Sequence, residues 1–147
     1  MYTGLLHLHN LLRWVILITL LLSIVKLISG GNALKISKIL LISAHSTLIL
    51  GLYQYFFGPL GYQLISSSAG GMEDVMKDAA SRFWAVEHIS SMILAIILIT
   101  IGHIRLKKGA KASLTATYYL IALLLILSAI PWPYRAGIGR PWFPGLG

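Results

Sequence analysis

Seven side chains lie inside apolar runs and could do chemistry there: His7, His9, Arg13, His45, Glu87, His88 and His103. An ionisable group in such a setting is costly and needs a partner or a task. Imidazole suits one task above others, because one ring nitrogen can bind a metal while the other is held by a hydrogen bond. Two imidazoles at one level on facing helices make the axial ligand set of a b-type haem. The sequence holds no cysteine. That excludes disulfides, cysteine-ligated iron–sulfur clusters, thiolate-ligated haem and covalent c-type haem.

The elements that must position these side chains are four apolar segments, at 5–29, 35–57, 82–106 and 113–130. Each is about long enough to cross a ~30 Å hydrocarbon core, which takes ~20 helical residues. At ~1.5 Å of rise per residue, His9 lies ~6 Å below the outer boundary, Glu87 ~8 Å, His88 ~9 Å and Arg13 ~12 Å. His45 lies ~18 Å down, near mid-membrane, and His103 falls at the inner boundary, where an interfacial role is expected. Two axial pairs are compatible with these depths. His9 and His88 differ by ~3 Å, whereas His45 and His88 differ by ~9 Å. Depth favours His9; burial favours His45, since little else makes a mid-membrane imidazole tolerable. His88 belongs to both pairs, and His45 is preferred as its partner.

Other residues extend or compete with this reading. Ser91 and Ala95 share a face with His88 and are small, which leaves room for a flat macrocycle; the same spacing also permits close helix packing. Arg13 and Glu87 lie within ~5 Å in depth and are expected to form an ion pair. Arg13 or Arg82 is the alternative partner for haem propionates. A His₂-carboxylate metal site from His9, Glu87 and His88 is disfavoured, because adjacent helical residues project ~100° apart. His7 is expected among headgroups. His45 has a cofactor-free alternative, a hydrogen bond to a serine or threonine of another helix.

Composition agrees with the segments. Of the 147 residues 57% are hydrophobic and only 11% charged, and the mean hydropathy is +0.82. A soluble domain carries about a quarter charged residues. The net charge of +8 does not point to nucleic acid, because the basic residues stand at the ends of the apolar runs. The two short turns hold Lys26, Lys35, Lys38, Arg105, Lys107, Lys108 and Lys111 and no acid, whereas the opposite side holds all four acids. The positive-inside rule therefore places the short turns in the cytoplasm and both termini, with the long loop 58–81, outside. Within that loop Met72, Val75, Met76 and Ala79 recur at helical spacing, as in an interfacial helix. Residues 5–28 are too long for a signal-peptide core and lack a basic leader, so they are expected to be a retained span. The expected architecture is all-α: one domain, 1–147, an integral membrane four-helix bundle, N-out and C-out, multi-pass in a cell membrane, the bacterial inner membrane by preference.

The motifs His9-Asn10-Leu11-Leu12-Arg13-Trp14, Gly51-Leu52-Tyr53 on the His45 helix, Arg82-Phe83-Trp84-Ala85-Val86-Glu87-His88 and Ile130-Pro131-Trp132-Pro133-Tyr134-Arg135 together resemble small four-span bacterial cytochrome-b-like membrane proteins. The resemblance covers most of the chain. It implies haem b on His88 with His45 or His9, and electron exchange with quinol or a membrane redox partner. A second resemblance, in size and span number, is to haem-containing four-span protoporphyrinogen oxidases, whose basic and aromatic pattern in the first helices is not matched here. Two functional classes follow: a haem-b electron-transfer protein, or a cofactor-free accessory or assembly subunit of a larger membrane complex.

Overall fold

The structure is a computed structural model and describes residues 2–143. Helix α1 spans Tyr2–Ile28 and α2 Leu34–Phe57. The long loop carries two short helices, α3 (Tyr62–Ser67) and α4 (Met72–Lys77). Helix α5 (Ala79–Arg82), a π turn (Phe83–Glu87) and α6 (His88–Lys107) then run as one continuous helical segment, followed by α7 (Ala112–Ala129). The described residues contain no strand. Four helical segments are long and apolar enough to cross a membrane.

Each break has a local cause. Gly30 adopts φ +75° after α1, and the Asn32 side chain accepts from the Leu34 N–H at the start of α2. Gly109, at φ +76°, turns the chain between α6 and α7. Ile130 leaves the helix in extended geometry because Pro131 follows, and a proline disfavours the helical conformation in the residue before it. The tail then folds back, with the Arg140 N–H donating to the Pro131 carbonyl at 2.9 Å.

The four long helices pack in a closed ring in the order α1, α2, α6, α7, with α7 returning to α1. Leu20, Leu40, Ile99 and Tyr119 are wholly buried at its centre beside Ala44, Ala95 and Ala122. Without a hydrophobic driving force between helices in lipid, such small residues gain contact by letting backbones approach. Ala95 therefore sits in close packing, the alternative that its spacing from Ser91 also permits. The outer surface is apolar: Ile18, Val25, Ile28, Ile42, Ile49 and Leu124 are all more than half exposed. In water this would be an aggregation surface; against hydrocarbon it is the ordinary exterior of a membrane protein.

Candidate functional site

His9 and His88 meet inside the half of the bundle that carries the N-terminus, their ring centres 6.4 Å apart and their planes inclined by 49°. All four long helices contribute. His9 comes from α1, and its ring lies over Gly51 of α2, where a β-carbon would stand 3.3 Å from the His9 Cε1. His88 opens α6, and its Nδ1 donates to the Ala129 carbonyl at the end of α7, at 2.8 Å. That bond fixes the ring and leaves Nε2 with the lone pair. The His9 Nδ1 is buried without a hydrogen-bond partner.

The π turn shapes one side of the pair. It places Phe83 and Trp84, adjacent in sequence, with ring centres 5.8 and 5.9 Å from that of His88. The tail lays cations on those rings: the Arg135 Cζ is 4.7 Å from the centre of Phe83 and the Arg140 Cζ 5.1 Å from that of Trp84. A cavity of about 320 Å³ beside them is lined by residues that include Arg82, Phe83, Glu87, Arg135 and Ile138. The imidazoles thus lie beneath an aromatic layer, with guanidinium groups above it.

Arg82 and Glu87 form an ion pair at 2.7 Å, and Arg82 also donates to the Met76 carbonyl at 2.9 Å. This corrects the expected pairing of Glu87 with Arg13. Residues five apart on an α-helix project about 140° from each other, but a π turn closes its hydrogen bonds over five residues and brings them onto one side. Arg13 turns the other way. Its Nη2 donates to the Trp142 carbonyl at 2.8 Å, the Trp14 indole N–H donates to the same oxygen at 3.0 Å, and the Arg13 Nε is buried without a partner. Arg13 therefore ties the tail to α1. The His9, Glu87 and His88 metal site is not assembled, and no group of three or more metal-binding side chains occurs among the described residues.

His45 stands on the outer face of α2, exposed, with its Nδ1 donating to the Leu41 carbonyl of its own helix at 2.9 Å. The burial that favoured it as the partner of His88 is absent, and so is the alternative bond to another helix. His7 is exposed. His103 is buried between helices: its Nδ1 lies 2.8 Å from the Ser37 Oγ of α2, and Ser37 in turn bonds the Tyr119 hydroxyl of α7. Gly102 makes room for that tyrosine, since a β-carbon there would lie 2.5 Å from its ring.

Compared with known protein families, with curated proteins and with solved structures, the chain matches none.

Proposed function

We propose that this membrane protein holds one b-type haem between His9 and His88 and takes part in electron transfer, with quinol or a membrane redox protein as the exchange partner. The spacing of the two rings carries the reading. Two imidazole nitrogens, each ~2 Å from a shared metal and ~1 Å from their own ring centres, put those centres roughly 6 Å apart. The observed separation is 6.4 Å. Both rings are held within the bundle, and an ionisable side chain in such a setting is costly unless it has a task.

The donor set suits the group. His88 is oriented by the Ala129 carbonyl, a hydrogen bond of the kind that raises the basicity of a ligating imidazole. Arg82 and Arg135 line the adjoining cavity, and guanidinium groups are the natural counter-ions for propionates. When bound, the haem supplies a one-electron couple. The chain's own part is to present two neutral imidazoles, to keep bulk water away with Phe83 and Trp84, and to set a positive potential above the site. The basic short turns support a cytoplasmic location for that end, with both termini outside, in a cell membrane of the bacterial inner type.

Haem content per chain and the reduced-minus-oxidised spectrum of detergent-purified protein test the proposal. His9→Ala and His88→Ala should each abolish or alter the spectrum, and His45→Ala should leave it unchanged. An unchanged spectrum in His88→Ala sinks the reading. A colourless wild-type preparation, after haem-sufficient expression, favours the cofactor-free accessory subunit instead.

A further inference from the structure

At the opposite end of the bundle a second cavity, of about 450 Å³, opens between the last turn of α6 and the α6–α7 turn. It is lined by Ile101, Ile104, Arg105, Lys108, Gly109 and Ala110. Three observations concern what would fit there. The first is charge: Arg105 and Lys108 line the cavity, Lys107 and Lys111 belong to the same turn region of the sequence, and every acid of the chain lies between 73 and 87. The Arg105 guanidinium is steadied over the Tyr118 ring, at 5.8 Å from its centre.

The second concerns the helix ends. The carbonyls of Ile104, Arg105 and Leu106 in the last turn of α6, whose partial negative charge would repel an anion, accept hydrogen bonds from the turn. Lys108 N–H donates to Ile104 and Arg105, Gly109 N–H to Leu106, and Ala110 N–H to Arg105. Just after Ala110 the N-cap of α7, Lys111, makes no side-chain cap bond, so the first N–H groups of α7 add to the positive potential of this end of the bundle.

The third observation selects the ligand. Leu94, Ile97, Ile101 and Ile104 form one stripe along α6 at helical spacing, and Leu94, Ile97 and Ile104 are exposed by 45–48%. The stripe leads directly into the basic cavity. Ten residues of helix span about 15 Å, which is half of a ~30 Å hydrocarbon core, the depth of one leaflet. A small soluble anion has no use for such a track; an acyl chain does.

We infer that this cavity is a binding site for one anionic phospholipid of the leaflet facing the basic turns, its phosphate on Arg105 and Lys108 and an acyl chain on the α6 stripe. The site does not depend on the haem reading or on which side of the membrane the turns face. Native mass spectrometry of protein purified in a neutral detergent provides the test, with phosphatidylglycerol, phosphatidylcholine of the same chains, and inorganic phosphate as probes. Phosphatidylglycerol should bind at one per chain and phosphatidylcholine much more weakly. Arg105→Gln/Lys108→Gln should lose roughly thirtyfold in affinity, at about 1 kcal/mol for each basic side chain. Lys35→Gln/Lys38→Gln, the same charge change at the same end, should lose less than about threefold, because those side chains do not line the cavity. If the first double variant unfolds, Lys108→Gln alone, at an exposed position, should still show about a fivefold loss. Equal losses in the two double variants would mean diffuse attraction and overturn the site. So would equal binding of phosphatidylcholine, or displacement of the lipid by equimolar phosphate.

Discussion

The Nδ1 of His103 and the Oγ of Ser37 lie 2.8 Å apart, on helices α6 and α2, and the Tyr119 hydroxyl joins the same serine from α7. Three helices are thus pinned by polar contacts beneath the surface of one end of the bundle. Ser37→Ala strands both partners, so it should cost more than loss of a single bond. A destabilisation of about 1–3 kcal/mol is expected in detergent unfolding. Tyr119→Phe in the Ser37→Ala background should add less than it does in the wild type. Fully additive losses would show that the three groups are not coupled.

Gly102→Ala addresses the same junction sterically. Its β-carbon would meet the Tyr119 ring at 2.5 Å, and overpacking of this kind costs about 1–3 kcal/mol. The expected readout is a lower melting temperature, with partial recovery when Tyr119→Phe lets the ring move. A melting temperature equal to wild type would mean that α6 and α7 are less closely packed than described.

Arg13 and Glu87 should behave independently. Glu87 pairs with Arg82 on a partly exposed surface, so Glu87→Gln should cost under about 1 kcal/mol. Arg13 holds the Trp142 carbonyl, and Arg13→Gln should cost about 1–2 kcal/mol and loosen the tail. Their losses should add within about 0.5 kcal/mol. A coupling of several kcal/mol in the double variant would restore the direct ion pair.

Asp78 caps α5, its carboxylate accepting from the Ser81 N–H at 2.8 Å. The hydrogen bonds from Ser81 hold its pKa below the ordinary carboxylate value. The folded value is therefore lower than the unfolded one. The cap contributes fully above about pH 4 and is lost as pH falls through the depressed value. The protection of the Ser81 and Arg82 amides against exchange, relative to their intrinsic rates at each pH, should fall in that acid window, and in Asp78→Asn this fall should vanish. The same acid loss of protection in Asp78→Asn would assign it to another group.

Topology is open to direct labelling. Cysteine at Ser67 should react with impermeant reagents in intact cells and cysteine at Lys108 should not. The substitution is better made at Lys108 than at Gly109, whose φ of +76° an L side chain rarely adopts. Reversed labelling would invert the bundle.

The four spans were legible in the sequence because lipid demands about twenty apolar residues without interruption and because Gly30, Gly109 and Pro131 interrupt them. Depth along each helix was legible too: the fixed rise per residue set His9 and His88 at nearly one level, and their rings do adjoin. Direction around each helix was not. In a soluble bundle a polar face marks the outside, but here the outside is also apolar, so nothing in α2 signalled that His45 points outward. The burial of His103 depends on Ser37 and Tyr119, each from a different helix. The roles of Arg13, Arg135 and Arg140 depend on a tail that folds back over the helix ends, a non-local contact with no periodic signature. The π turn was equally hidden, since it is defined by backbone hydrogen bonds and not by residue type.

That π turn holds one residue more than an α-helix of the same rotation needs, because its residues wind by about 80° each instead of about 100°. One residue removed between Phe83 and Glu87, Val86 for instance, would let the segment relax into an ordinary α-helix. Arg82 and Glu87 would then be four positions apart and still within reach of each other. Phe83 would likewise stand four positions before His88 and stay on its side of the helix. The same deletion in the middle of α6 would instead turn the two halves of the span against each other by about 100°. The third span should therefore tolerate the loss of one residue at the turn far better than elsewhere along its length.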